Sequence, residues 1–204
     1  ADYGEMHKVL SRYGSLMVFY NGPRCGASAP DHMHLQAGTG GLVPLQCEWR
    51  RMSRSLEPIF ALDRDNDICV LHGFVVPALV IRSKDETADR TLFNLVYEAL
   101  PQRDGETEPM MNIVSWREEA YYISVIIPRE KHRPDCYYAE GEEQLLVSPG
   151  ALDMSGLLIA PREEDFNRLT EMQAEAILKE CGITDEAMQR VVEKLSAHPC
   201  GPKI

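Results

Sequence analysis

Apolar and polar positions along the chain repeat with two different periods, which predicts a fold that mixes helices and strands. Apolar residues at helical spacing predict helices over residues 6–13, 87–100, 161–170 and 184–195. Acidic residues stand in the first turn of the last two, where the helix dipole favours negative charge. Alternating or continuous apolar runs predict strands over residues 16–20, 32–36, 43–49, 68–82, 110–116, 120–128, 144–147 and 156–160. The predicted fold class is therefore α+β.

The segment HMHLQ, which begins at His32, alternates polar and apolar side chains. On a strand this spacing places His32, His34 and Gln36 on one face, while Met33 and Leu35 point into the core. A loop rich in small residues precedes the segment. The pattern predicts that a rigid sheet surface presents these polar groups beside the loop.

The chain is long enough for one large domain or two small ones. Its 204 residues compare with a prior of about 150 residues per domain. A composition of 44% hydrophobic and 26% charged residues is typical of a folded globular protein. The longest apolar stretch, residues 68–81, is interrupted by His72, Gly73 and Pro77 and is shorter than the roughly 20 residues that a bilayer requires. No membrane-spanning segment is predicted, and the start ADYGEMHK lacks the features of a signal peptide.

The formal net charge of −11 disfavours polyanionic partners. Neither a nucleic acid nor an anionic membrane is therefore an expected partner, although a locally positive pocket could hold a small anion. Arg50, Arg51 and Arg54 form a basic cluster, interpreted either as solvated surface or as a rim that attracts phosphates. The segment REKHR, residues 129–133, is interpreted as an exposed loop.

The six cysteines stand singly, without a C-x-x-C pair. This spacing favours reduced thiols in a cytoplasmic protein over a zinc ribbon or a disulfide framework. Cys69 lies in an apolar run and is interpreted as a small buried hydrophobic residue. Cys25 lies in the glycine-rich loop and could be exposed, but it lacks a designated base and is a weak nucleophile candidate.

The residues around HMHLQ combine a nucleophile with several hydrogen-bond donors. A neutral imidazole attacks phosphorus well near pH 7, because its unperturbed pKa is about 6.5. The backbone N–H groups of Gly26, Ala27 and Ser28, with the Ser28 hydroxyl and the Gln36 amide, would stabilise the charge that develops on phosphate oxygens. The arrangement favours phosphoryl or nucleotidyl transfer.

Two other interpretations of the histidines stay open. His32 and His34 could be ordinary hydrogen-bonded strand residues, as is usual for an isolated H-x-H. They could also share a zinc ion, but a third ligand with local spacing is missing, since Asp31 would point elsewhere and Gln36 is a poor ligand.

The stretch NGPRCGASAPDHMHLQAG, residues 21–38, resembles the active-site signature of the histidine-triad (HIT) superfamily. The resemblance is to the branch in which glutamine replaces the third histidine. That branch includes galactose-1-phosphate uridylyltransferases, ATP adenylyltransferases (diadenosine tetraphosphate phosphorylases) and GDP-L-galactose phosphorylases. Gly-Ala-Ser, proline and His-x-His-Leu-Gln are most similar to the adenylyltransferase form. The extra residue Asp31 is instead similar to the GDP-hexose phosphorylases, and residues 127–134 and 148–166 resemble bacterial proteins of the same kind.

The resemblance implies a role for each residue of the signature. His34 would be the nucleophile that attacks the α-phosphate and becomes nucleotidylated. His32 would orient the site through hydrogen bonds, and Gln36 would hold the phosphate of the intermediate. The remaining implied contacts to phosphate or nucleotide come from Asn21, Arg24, Gly26, Ala27 and Ser28.

The resemblance also implies HIT-like antiparallel sheets with packed helices, as part of a duplicated galactose-1-phosphate uridylyltransferase-like fold. Residues 1–60 would form the end of the catalytic half, which carries HMHLQ, and residues 61–204 the second half with the C-terminal helices. Because only 31 residues precede His32, we expect the chain to be a fragment or to be completed by another segment or subunit. A homodimer is expected from the resemblance.

We therefore expect a nucleotidyltransferase or phosphorylase that acts on a nucleoside polyphosphate or a nucleotide sugar through a covalent nucleotidyl-histidine intermediate. Phosphate or a sugar phosphate would accept the nucleotidyl group, and water as the acceptor would give a hydrolase. The mechanism requires no metal, although magnesium can accompany the nucleotide. The alternatives are a GDP-hexose phosphorylase, a catalytically inactive nucleotide-binding module and a metal-binding protein that uses His32 and His34.

Overall fold

The computed structural model describes residues 3–28 and 31–198. Its strands are β1 (Leu16–Asn21), β2 (Leu35–Thr39), β3 (Leu56–Ala61), β4 (Asp67–Leu71), β5 (Ala78–Ser83), β6 (Met111–Glu118) and β7 (Tyr121–Pro128). Its helices are α1 (Gly4–Arg12), α2 (Pro44–Cys47), α3 (Trp49–Met52), α4 (Glu86–Ala99), α5 (Ala151–Met154), α6 (Glu163–Arg168), α7 (Glu171–Cys181) and α8 (Asp185–Ser196). The strands form one antiparallel sheet in the order β2-β1-β6-β7-β5-β4-β3. The α+β class is thus confirmed.

The long periodic elements match the sequence predictions. Helices α1, α4, α6 and α8 and strands β1, β6 and β7 all begin and end within two residues of the predicted bounds. The predicted strand over residues 68–82 is divided into β4 and β5. The division falls where Gly73 adopts a positive φ and Pro77 follows, because the first favours a turn and the second lacks an N–H for sheet pairing.

Three predicted strands are wrong. Residues 43–49 contain α2 and the start of α3, since Pro44 stands in the first turn of α2, where its missing N–H costs nothing. Residues 144–147 and 156–160 have no regular secondary structure. Leu145 and Val147 are buried against Ile177, so these apolar residues cover the core without pairing as a strand. Strand β3 and helix α7 were not predicted.

The sheet has an apolar cluster on each face, as alternation along its strands requires. In β1, Val18 and Tyr20 belong to the cluster that contains residues of α1, α4 and α8. Met17 and Phe19 belong to the opposite cluster, which contains residues of α2, α3, α5 and α7. Both faces of the sheet are therefore covered by helices.

The sequence predicted a division of the chain after residue 60, which falls within β3. Strands from both segments join the same sheet, because β1 pairs with β6. The assignment of the two segments to different halves of a duplicated fold stays a prediction. In the part of the chain that the structure describes, no helix combines the length and apolar character needed to cross a bilayer.

Asp89 lies buried in α4, where its carboxylate accepts a hydrogen bond from the Ser83 hydroxyl at 2.9 Å. Burial raises the pKa of Asp89 from 3.8 to about 6, so the folded protein binds this proton more tightly than the unfolded chain does. The resulting contribution to stability is present at and below pH 3.8 and is lost as the pH rises to about 6. We therefore expect Asp89→Asn to remove a decline in the free energy of unfolding over this range.

Urea denaturation at a series of pH values measures this effect. Asparagine can still accept the Ser83 hydrogen bond, so Asp89→Asn isolates the titration. Glu98→Gln, an exposed change on the same helix, is expected to keep the decline. An unchanged slope in Asp89→Asn would contradict the prediction.

Candidate active site

The HMHLQ segment enters the sheet only at Leu35, so the prediction that all five residues form a strand is wrong. Leu35 pairs with Tyr20 at the start of β2. The chain turns after Asn21, where the Cys25 N–H donates to the Gly22 carbonyl, so β1 has no residue opposite His32 or Met33. Met33 is 39% exposed instead of lying in the core.

His34 has its ring oriented by the backbone of the same segment. Its Nδ1 lies 3.3 Å from the carbonyl oxygen of His32. A carbonyl oxygen only accepts hydrogen bonds, so Nδ1 is the donor in this contact. In the neutral imidazole the lone pair is then on Nε2, the nitrogen that does not contact the His32 carbonyl.

The His32 side chain lies close to His34 but is largely in solvent. The two ring centroids are 5.7 Å apart, and the His32 side chain is 64% exposed. Its Nδ1 lies 3.1 Å from Asp31 Oδ1. It is thus the carbonyl of His32, and not its ring, that accepts the hydrogen bond from the His34 imidazole.

A cavity of about 220 Å³ collects four of the predicted site residues: Asn21, Gly26, Ser28 and Gln36. Its opposite wall is formed by Ser148, Gly150, Ala151, Leu152, Asp153 and Ile159. Sequence reasoning noted the segment SPGALDMSG as similar to the same bacterial proteins but did not place it in the site. The turn-forming Pro-Gly ahead of a helix start was the local signal available.

The side chain of Asn21 joins the two walls of the cavity. Its Oδ1 accepts hydrogen bonds from the Ala151 N–H at 2.7 Å and from Asn112 Nδ2 at 2.8 Å, and its Nδ2 donates to Gln36 Oε1 at 3.1 Å. Both lone pairs of the Asn21 oxygen are therefore used inside the protein. The structure shows Asn21 as a link between β1, β2, β6 and α5, and the contact with phosphate or ribose assigned to it from the sequence stays a prediction.

Gly26 packs directly on the opposite wall. It has a φ of 89°, and a Cβ at this position would lie 2.6 Å from Gly150 Cα and 2.9 Å from the Pro149 carbonyl oxygen. Only glycine fits both the backbone angle and the space. This contact positions the loop that carries Ser28 over the cavity.

Ala27 and His32 line a second cavity of about 150 Å³, together with Tyr20, Asn21 and Glu108. The Tyr20 hydroxyl donates to Glu108 Oε1 at 2.7 Å, and burial with this carboxylate raises the pKa of Tyr20 well above its usual value. Asn21 therefore stands between the two cavities.

Arg24 is not among the residues that line either cavity. Its guanidinium pairs with Glu106 at 3.1 Å, and its side chain is 64% exposed. The predicted basic cluster is also separate from both cavities, with Arg51 paired to Glu48 at 3.0 Å on the surface.

Cys25 is fully buried, which excludes the exposed position that its loop allowed. Burial raises the pKa of its thiol to about 12, which keeps it protonated and unreactive. Cys69 is buried as expected. Within residues 3–28 and 31–198, no three His, Cys, Asp or Glu side chains are grouped so that they could hold a metal ion.

Arg129 was interpreted as part of an exposed loop, but its side chain is only 3% exposed. Its Nη1 donates to Asn112 Oδ1 at 2.6 Å and to the Pro149 carbonyl at 3.0 Å. Asn112 is itself buried in β6 and donates to the Cys25 carbonyl at 2.7 Å. Through these hydrogen bonds, Asn112 and Arg129 stabilise the backbone next to the cavity. No pattern in the sequence identified them as part of the site.

Two protein-family models match the chain. The model described as "GDPGP1-like, C-terminal domain" matches residues 51–199, and the model described as "Domain of unknown function (DUF4922)" matches residues 1–39. A comparison with curated protein sequences finds no match.

Among solved structures, the crystal structure of yeast Ap4A phosphorylase Apa2 is similar to the chain. The TM-score is 0.56 at 18% sequence identity, and the match covers 88% of this chain and 60% of that one. The chain therefore spans about 60% of the length of the structure it matches. The likeness shows a shared fold and confirms the HIT-like fold predicted from the signature.

Proposed function

The chain belongs to the family described as GDPGP1-like, C-terminal domain, and from this premise we propose that it is a nucleotidyltransferase or phosphorylase. Its donor is a nucleoside polyphosphate or a nucleotide sugar, and its intermediate is a nucleotide bound covalently to His34. Phosphate or a sugar phosphate accepts the nucleotidyl group. The fold shared with yeast Ap4A phosphorylase Apa2 is consistent with this class of reaction.

The orientation of the His34 ring is the observation that carries the proposal. Because Nδ1 donates to the His32 carbonyl at 3.3 Å, the lone pair of Nε2 is free to attack. Gln36, two residues further along the chain, lines the cavity together with the Ser28 side chain. His34 is not among the residues that line this cavity or the second one, so the proposal requires its Nε2 to reach a phosphate group that the neutral donors Gln36 and Ser28 hold.

The reaction proceeds in two displacements at one phosphorus atom. In the first, Nε2 forms an N–P bond to the α-phosphorus, and the bond to the leaving-group oxygen breaks with its electron pair. In the second, an oxygen of the acceptor phosphate attacks the same phosphorus, and the N–P bond electrons return to Nε2. Both steps develop charge on the non-bridging oxygens, where Gln36 Nε2 and the Ser28 hydroxyl would donate.

A GDP-hexose phosphorylase is the second candidate. The extra residue Asp31 before the first histidine favours it, and the Asp31 carboxylate contacts His32 Nδ1 at 3.1 Å. The two candidates differ in the base of the bound nucleotide, so one experiment separates them.

Intact mass spectrometry after brief incubation with a donor tests the proposal. We would compare ATP, diadenosine tetraphosphate, a GDP-hexose and a UDP-hexose at mildly basic pH, where a phosphoramidate survives. The expected result is an acid-labile mass increase of one nucleotide that disappears when phosphate is added. The nucleotide released identifies the base. Binding of nucleotides without any adduct would overturn the covalent mechanism and favour a binding module.

A further inference from the structure

A line of hydrogen bonds crosses four neighbouring strands at one end of the sheet. Arg129, directly after β7, donates through Nη1 to Oδ1 of Asn112 in β6 at 2.6 Å. Asn112 Nδ2 donates to Oδ1 of Asn21, at the end of β1, at 2.8 Å. Asn21 Nδ2 donates to Oε1 of Gln36, in β2, at 3.1 Å. The line runs from the buried guanidinium to the cavity.

The direction of every bond in this line is set by groups that can only donate. A guanidinium has no acceptor atom, so Asn112 turns its oxygen toward Arg129 and its nitrogen toward Asn21. The backbone N–H of Ala151, also a donor only, holds the oxygen of Asn21 at 2.7 Å. The nitrogen of Asn21 therefore faces Gln36, and Gln36 turns its oxygen toward it.

The consequence is that the Gln36 oxygen is engaged by Asn21, and the Gln36 Nε2 is the end of the amide that stays available to a ligand. Among residues 3–28 and 31–198, no hydrogen bond is made by this nitrogen, and Gln36 lines the cavity. An amide nitrogen donates to a phosphate oxygen, whereas an amide oxygen would repel it. The orientation of one amide thus decides whether the cavity favours an anion.

The buried position of Arg129 is unfavourable in free energy. It is 3% exposed, and it makes no ion pair in the described part of the chain. Its other hydrogen bonds go to four backbone carbonyls, those of Cys181, Pro149, Lys131 and His132. Burial of a charge without a carboxylate partner costs free energy that an apolar side chain would avoid. The contact with Asn112 is the one that connects this charge to the cavity.

We propose that Arg129 is a positioning residue, which acts through Asn112 and Asn21 to keep the Nε2 donor of Gln36 directed at a phosphate group in the cavity. The inference rests on the proposed function in that it takes the cavity as the phosphate site. It concerns binding and not the covalent step. The two can therefore be tested separately.

Asn21→Asp tests the direction of the line with little change in the number of hydrogen bonds. The aspartate still accepts from Asn112 and from the Ala151 N–H, but it has an oxygen where Asn21 had its nitrogen. Gln36 must then turn its Nε2 toward Asp at this position and its oxygen toward the cavity. We expect a thermal unfolding midpoint close to that of the wild type and an affinity for AMP and for inorganic phosphate about 10- to 100-fold lower.

Asn21→Asp also adds a negative charge next to the cavity. A double-mutant cycle with Gln36→Ala separates the effect of this charge from the effect of the Gln36 amide. If Asn21→Asp acts through the Gln36 amide, its effect on AMP affinity falls to a few-fold or less once Gln36 is alanine.

Arg129→Met is expected to give the same coupling with Gln36→Ala, provided that thermal unfolding shows that the variant folds. Arg82→Met is the matched control, because Arg82 is paired with Asp67 on a distant part of the sheet. It is expected to lower stability and leave AMP affinity unchanged.

Side-chain amide NMR supplies a second readout that a purely structural role would not move. The Gln36 Nε2 signal, assigned by its loss in Gln36→Ala, is expected to shift when phosphate is added to the wild type and not when it is added to Asn21→Asp. Additive effects in the cycle, or no phosphate or AMP binding by the wild type, would overturn the inference. Coupled binding without a covalent adduct would support it and refute the proposed function alone.

Discussion

Replacement of His34 by alanine is expected to eliminate the covalent nucleotide adduct and to lower turnover by about 10³-fold or more, as loss of a nucleophile does in other enzymes. The reason is that, in the proposed mechanism, phosphorus becomes bonded to His34 Nε2. Intact mass and steady-state rates with the donor that labels the wild type measure both effects. Nucleotide affinity should change little, since Gln36 and Ser28 remain in the cavity.

His32→Ala is the matched comparison for this prediction. The ring of His32 is largely exposed, and the group that orients His34 is the His32 carbonyl, which alanine retains. We therefore expect adduct formation to persist at a rate reduced by about 10- to 100-fold. An adduct on His34→Ala, or equal losses for both variants, would show that the nucleophile has been wrongly assigned.

Gly26→Ala is expected to destabilise the protein by about 1–3 kcal/mol and to abolish adduct formation. A Cβ at this position would lie 2.6 Å from Gly150 Cα, and the φ of 89° disfavours any side chain. The clash involves backbone on both sides, so relief requires the loop before Ser28 to move away from residues 149–150. That movement would open the cavity and separate Ser28 from Gln36.

Gly38→Ala supplies the control on the neighbouring strand. Gly38 lies in β2, two residues after Gln36, and nothing lies within 4 Å of its added Cβ. We expect wild-type activity and a stability change within about 0.5 kcal/mol. Thermal denaturation measures the stability of Gly26→Ala and Gly38→Ala, and intact mass measures their adduct formation. Wild-type adduct formation by Gly26→Ala would show that the contact between the two walls is not needed for the site.

The local signature in this chain was readable from the sequence, whereas its backbone form was not. HMHLQ has the period of a strand, yet only its last two residues pair, because β1 ends at Asn21 and has no residue opposite His32 or Met33. The length of a strand depends on its neighbour, and a pattern in one segment does not report where the neighbour ends. The same limit explains the wrong strands at residues 144–147 and 156–160.

The support beneath the site was invisible to sequence reasoning for a related reason. Asn21 and Ala151 are hydrogen-bonded although they are 130 positions apart. Arg129 lies in a run of charged residues that is usually exposed, and only the approach of Asn112 and four carbonyls keeps it in the interior. Burial of a charge is decided by partners from distant segments, which hydrophobic periodicity does not contain.

By itself the sequence determined the α+β class and most of the long elements, and it supplied the signature residues from Asn21 to Gln36 as candidates for a site. These depend on spacing within one segment, which is a local property of the chain. Only the tertiary structure decided that His34 Nδ1 contacts the His32 carbonyl, that the Gln36 amide oxygen contacts Asn21, and that Ser148 and residues 150–153 form the opposite wall. Hydrogen-bond direction and cavity shape arise only when distant segments pack together. The physical reason is that the sheet places donors and acceptors from distant parts of the sequence next to each other.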